Sequence, residues 1–144
     1  MEKKKRKSTW KWYSVLLLFE STISEKPDLN KIDKNFKNDI KLYEERIIII
    51  KAQSYNHAYK LADNYAKEYE SEYINPYEQK VNEKFIDSLH CQELIENEIK
   101  SGIEIYYRMY EESAETDVEQ VIENRMPEVS GNKTPFYNFL IDRC

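Results

Sequence analysis

An α+β fold, a small antiparallel or mixed sheet of about four strands with one main helix packed on it and a short C-terminal helical extension, follows from three stretches of the chain. Two are apolar runs, Trp12-Tyr13-Ser14-Val15-Leu16-Leu17-Leu18-Phe19 and Arg46-Ile47-Ile48-Ile49-Ile50-Lys51-Ala52. Runs this short and rich in Leu, Val and Ile read as buried strands. The third is a stripe of tyrosine and alanine between Ser54 and Tyr69 at helical spacing, the face a helix lays on a sheet.

The elements follow in order. Thr9–Ser21 is the first strand, and its consecutive apolar residues predict cover on both faces. From 22 to 41 the chain is polar, with Pro27 and three asparagines; Leu29, Ile32, Phe36 and Ile40 are spaced for a short helical turn. Leu42–Lys51 is the second strand. Its four isoleucines are stiff at χ1 and suit a pleated surface, and the unbroken run predicts a central position.

Ser54 is placed to cap the helix that follows. Ala58, Ala62 and Ala66 let that helix lie close to the sheet, with Tyr55, Tyr59, Tyr65 and Tyr69 at its margins and Asn75-Pro76 as its stop. Val81, Phe85, Ile86 and Leu89 make 78–89 a strand, although they would also fit one face of a helix. Leu94, Ile95 and Ile99 suggest a short helix over 91–100 closed by Ser101-Gly102. Ile103, Ile105, Tyr107 and Met109 alternate with Glu104, Tyr106, Arg108 and Tyr110, a period of two that predicts a strand. Thr116-Asp117-Val118-Glu119 reads as a capping box ahead of Val121, Ile122 and Met126, with a stop at Pro127. A loop follows over 128–134, and the apolar run 136–141 is expected to dock on the body or on a partner.

At 144 residues the chain suits one core. The organisation expected is a basic disordered head over 1–8, a single α+β domain over 9–112 and a helical or irregular extension over 113–144 docked on it. With glycine only at Gly102 and Gly131, the phosphate-cradling loops of mononucleotide and dinucleotide sites are excluded. The apolar run after the basic head imitates a signal peptide, but Glu20 follows it where small residues should stand. No stretch reaches the roughly 20 apolar residues that cross a bilayer as a helix. Cys91 and Cys144 are too few for a stapled scaffold, which points to a reducing, cytoplasmic setting.

Charge is uneven. The net −5 combines +4 over residues 1–8 with −9 over the rest. Between Glu93 and Glu128, eleven acidic residues face Lys100, Arg108 and Arg125, a net of −8. Such a surface repels nucleic acid and membrane phosphates and attracts basic proteins; the plainer reading is a solvated face that keeps the protein soluble.

The segment Trp12–Ser21, the run Arg46–Ala52 with Ala58 and Ala62 after it, and Gly102-Ile103-Glu104-Ile105-Tyr106-Tyr107-Arg108 together resemble a small bacterial family known as domain of unknown function 4288. The likeness spans roughly 11–111. It implies a bacterial, cytoplasmic, compact α+β domain and transfers no catalytic motif.

Residues suited to chemistry are few. His57 lies at the edge of the helix without a second ligand at i+4, and His90-Cys91 point to opposite faces if they lie in a strand. Four Cys and His residues in all give a metal site little to work with, so no metal and no cofactor is expected. Carboxylate pairs such as Glu44-Glu45, Glu111-Glu112 and Glu68 with Glu72 are too common to inform, and Glu20 reads as a strand end reaching water.

Twelve tyrosines remain, three of them (Tyr106, Tyr107, Tyr110) beside the acidic quarter. Tyrosine is enriched at protein interfaces, though packing explains many of them. The leading expectation is therefore a non-catalytic interaction protein, sharpest as an acidic inhibitor or immunity-type protein that binds a basic bacterial toxin or nuclease. Its binding residues would be Glu104, Tyr106, Arg108, Tyr110, Glu111, Glu112, Glu115, Asp117 and Glu119. The expected partner is a basic protein, with no membrane and no nucleic acid, and a homodimer stays open. The alternatives are a small-molecule-binding or sensory module with a pocket between the helix and the sheet, and an enzyme working through carboxylates or His57.

Overall fold

The apolar run after Trp10 folds as strand β1 (Lys11–Ser24), and everything else in the sheet is arranged around it. The structure, a computed structural model, describes residues 8–125. β1 pairs antiparallel with β2 (Lys41–Ala52) on one side and β4 (Lys80–Glu93) on the other; β4 also pairs with β3 (Ser71–Ile74), giving the order β2-β1-β4-β3. Helix α1 (Tyr55–Glu68) lies on one face, so the α+β class and the four strands are as expected.

Alternation along β1 decides the core. Tyr13, Val15, Leu17 and Phe19 point toward α1 and are buried, with Ile50 and Ala52 of β2 beside them. Ala58, Ala62 and Ala66 of α1 complete the cluster without exposed surface. Methyl groups on that stripe bring the helix axis close to the sheet, while Tyr55, Tyr65 and Tyr69 keep half their surface in water. Ser54 caps α1: its Oγ accepts from the backbone N–H of His57 at 3.1 Å.

Several expectations are corrected. The second face of β1 is only half covered at Leu16 and Leu18, so the strand is not buried on both sides. β2 is an edge strand, not a central one, despite its isoleucines. Between β1 and β2 the helical turn shrinks to a 3-10 turn, Leu29–Lys31, capped by Asp28, because Leu29 and Ile32 find no core to face.

α1 ends at Glu68, well before Asn75-Pro76, and leaves room for the short strand β3. Asn75 instead builds the β3–β4 turn: buried, its Oδ1 accepts from the backbone N–H groups of Tyr77 (3.0 Å) and Gln79 (2.9 Å). β4 runs on through Glu93, so Cys91-Gln92-Glu93 are strand and no helix forms over 91–100; Gly102, at φ +85°, serves a turn. Ile86 and Leu89 are the extra residues at two bulges in the β1–β4 ladder, and both turn half outward.

The alternating segment 103–110 is not a strand. Its anchor is one side chain: Gln92 Nε2 donates to the Tyr107 carbonyl at 2.6 Å and its Oε1 accepts from the Tyr107 N–H at 3.0 Å. That single amide replaces a ladder of backbone bonds.

The chain divides into two compact units, the first ending at Tyr107 and the second beginning at Arg108. The second holds helix α2 (Val118–Arg125). Its cap is Asp117, one residue later than the capping box placed it, with Oδ1 accepting from the Gln120 N–H at 2.8 Å. Residues 1–7 of the basic head expected over 1–8, the stop at Pro127, the loop over 128–134 and the apolar run 136–141 lie outside the described residues. No helix of the described residues is long and apolar enough to cross a membrane.

Candidate functional site

The nine residues singled out for partner binding fall in both units. In the first, Glu104 is exposed and Tyr106 sets its ring edge-on to His90, centroids 6.1 Å apart. In the second, Arg108, Tyr110, Glu111, Glu112, Glu115, Asp117 and Glu119 are all exposed. There the Arg125 guanidinium lies 3.5 Å from the centre of the Tyr110 ring, and Asp117 is occupied as the α2 cap. Within that unit, no hydrogen bond or ion pair among the described residues joins two of the seven.

Ion pairing separates this stretch from the sheet. Lys11–Glu93, Lys31–Glu78, Lys41–Glu20, Lys80–Glu72, Lys84–Glu70 and Lys100–Glu96 are paired, and Arg46 holds Glu44 and Glu83. Among the described residues no carboxylate from Glu104 onward has a basic partner.

A constellation that sequence reasoning missed sits where α1 ends. Arg46 opposes Leu17 on β1, and its guanidinium crosses Phe19 at 4.5 Å and lies 5.7 Å from the Tyr69 ring. Its Nε and Nη2 meet Glu44 at 2.9 and 3.0 Å, and Nη2 also contacts the buried Glu83 of β4. Burial pushes the Glu83 carboxyl up, Arg46 pulls it back, and burial prevails. The pattern carried one signal: Val81, Glu83 and Phe85 share a parity on β4, so a carboxylate stands where an apolar residue is due. With both carboxylates held by one guanidinium over an aromatic ring, the cluster ties β2 to β4 across β1, beside the Tyr69 that caps α1.

The residues weighed for catalysis are engaged elsewhere. His57 Nδ1 accepts from the Gln53 N–H at 3.1 Å, and its ring meets Trp10 edge-on at 5.5 Å, which ties it to the start of α1. His90 is exposed beside Tyr106. Glu20 accepts from the Tyr43 hydroxyl at 2.7 Å. The described residues contain no group of three His, Cys, Asp or Glu side chains arranged to hold a metal ion.

Cys91 packs against the core, and burial pushes its thiol up to about 11. The thiolate is the reactive form, so Cys91 is expected to alkylate at least about 100-fold more slowly in the folded protein than in urea. Iodoacetamide labelling followed by mapping of the Cys91 peptide reads the ratio; equal rates would show an accessible thiolate.

Among the described residues, Val15, Leu17, Phe19, Ala58, Ala62 and Ala66 have no accessible surface, so the helix–sheet boundary that they line is closed to water. An open groove of about 900 Å³ lies instead beside the start of β1 and the end of β2, lined among others by Trp10, Lys11, Tyr13, Lys51, Glu93 and Ile95. Lys11 in its wall is already bonded to Glu93 at 2.6 Å.

No curated protein and no solved structure matches this chain. One family model does, "Domain of unknown function (DUF4288)", over residues 12–107, the stretch from Trp12 of β1 to the tyrosine held by Gln92. The chain belongs to the DUF4288 family.

Proposed function

We propose that the protein is a non-catalytic, cytoplasmic interaction protein that docks a basic protein, in its sharpest form an immunity-type inhibitor of a basic bacterial toxin or nuclease. The observation that carries this reading is the run of exposed carboxylates from Glu104 to Glu119 without basic partners among the described residues, in a protein that ties many of its other acids to lysines. Unpaired like charges repel one another, and a cationic surface relieves that repulsion on docking. Tyr106 in the first unit and Tyr110 in the second each offer stiff contact area next in sequence to such acids.

The test is affinity capture with the native chain and with a variant in which Glu104, Glu111, Glu112, Glu115 and Glu119 are all glutamine. Raising salt from about 0.1 to about 1 M shortens the screening length from about 10 to about 3 Å. A basic protein held stoichiometrically at low salt, and lost both at high salt and by the variant, is the expected result. A partner held equally by both chains at both salts defeats the reading.

A small-molecule or sensory role is the second reading. The groove beside Trp10 and Lys51 favours it there, rather than beneath α1 where the sequence placed a pocket.

A further inference from the structure

We propose that β2 pairs antiparallel with β2 of a second copy of this chain, about a twofold axis through Ile48, joining two four-stranded sheets into one of eight strands. This inference uses residues other than the carboxylates from Glu104 onward and stands or falls separately from the basic-partner reading.

The starting observation is a mismatch between composition and place. Arg46-Ile47-Ile48-Ile49-Ile50-Lys51 has the unbroken apolar character of a strand with neighbours on both sides, yet among the described residues β2 pairs only with β1. Edge strands are normally protected by shortness, proline, bulges or inward charges. β2 carries one such inward charge, Arg46, over Phe19, but it is 12 residues long, contains no proline and pairs with β1 without a register shift; the register shifts among the described strands are both in the β1–β4 ladder. Ile47 is left 38% exposed.

Charge then selects the register. Residues directly opposed in an antiparallel ladder share a face. On β2, Ile48 and Ile50 oppose the core residues Val15 and Tyr13, whereas Glu45, Ile47, Ile49 and Lys51 oppose Leu18, Leu16, Ser14 and Trp12 on the second face. A twofold axis perpendicular to the sheet at Ile48 keeps both faces continuous. It sets Ile47 against Ile49 of the second copy and Glu45 against Lys51, each pair occurring twice. Centring the axis on Ile47 or Ile49 would set each of these charges against an uncharged residue.

Glu45 and Lys51 are also the charges without ion-pair partners here: both are exposed, neither joins an ion pair among the described residues, and Lys51 is steered over the second face by the Trp12 ring 5.7 Å away. An isologous contact needs such self-complementarity, and this strand has it about one residue.

Sedimentation velocity on the full chain from about 1 to about 100 μM, the range over which a modest interface populates both species, tests the proposal. The native chain should shift from monomer to dimer. Glu45→Lys and Lys51→Glu should each weaken the dimer roughly ten-fold or more by opposing like charges, and the double swap Glu45→Lys/Lys51→Glu should restore it. Both side chains are exposed, so the melting temperatures of the variants should stay near that of the native chain. A native chain that is monomeric throughout overturns the proposal, as does a dimer indifferent to either reversal or a double swap that fails to recover. Were the native chain monomeric while Glu45→Lys lost a captured foreign protein, the edge would belong to that protein and the proposal would equally fall.

Discussion

Phe19→Ala is expected to destabilise the protein by about 3–5 kcal/mol, among the largest losses any single truncation here should produce. Phe19 has no exposed surface, its ring is tilted against Phe85 with centroids 5.7 Å apart, and it carries the Arg46 guanidinium at 4.5 Å. Alanine therefore removes core volume and the platform under a cation together. The cavity would open on the face of β1 that α1 covers, among close-packed neighbours, so little of it can collapse. For a domain near 100 residues, each kcal/mol lowers Tm by roughly 4–8 °C, which makes a fall of about 12–40 °C the reading to expect. Ile95→Ala is the control: Ile95 is 87% exposed and its truncation should stay within about 0.5 kcal/mol. Urea midpoints at constant m settle the comparison, and a Phe19→Ala loss under about 1.5 kcal/mol would mean that the strand does not seat its ring in the core.

What the sequence made legible was local, and what it concealed was pairing. β1, β2, α1 and its Ser54 cap are plain because each is specified by spacing within its own span. The sequence does not reveal that β2 lies at an edge, because an apolar run reports what a strand would bury, not which neighbours it has; pairing with a second copy would remove that conflict. Four residues, Ser71–Ile74, carry too little pattern to announce β3, and the helix before it hid its start. In 103–110 the alternation is real, yet alternation needs a neighbouring backbone to become a strand, and Gln92 offers one amide instead.

The acidic candidates were readable as composition, but not as geometry: the boundary at Tyr107 separates Glu104 and Tyr106 from the other seven. Arg46, Glu44 and Glu83 were passed over for the opposite reason. Their meeting depends on register, since Phe19 opposes both Glu44 and Phe85, and only that alignment lets Arg46 reach across β1 to a residue 37 positions away. A carboxylate on the core parity of a strand was the available clue, and it asks for a cation that sequence alone does not locate.

Arg46→Met should in consequence cost about 2–4 kcal/mol, more than an exposed ion pair is worth and somewhat less than the 3–5 expected for a fully buried one. Arg46 keeps some solvent contact, whereas the Glu83 side chain is only 9% exposed and would be left without its cation. Glu83→Gln should cost less, about 1–2 kcal/mol, because Arg46 retains the two-point contact with Glu44. The double variant Arg46→Met/Glu83→Gln should then recover part of the Arg46→Met loss, with a coupling of about 1–3 kcal/mol.

The pH dependence has a definite sign. Burial raises the Glu83 carboxyl in the folded state, so the folded protein holds that proton more tightly than the unfolded chain does. Its contribution to stability is greatest below the ordinary carboxylate value and is lost as pH rises through the raised one. Glu83→Gln has no such loss, so its deficit relative to the native chain should shrink between about pH 4 and about pH 7. In Arg46→Met the opposing pull is gone, and the same loss should extend to higher pH. Urea midpoints across that range measure both effects. A Glu83→Gln deficit that grows with pH would mean that the guanidinium outweighs burial and that Glu83 behaves as an ordinary ion-paired carboxylate.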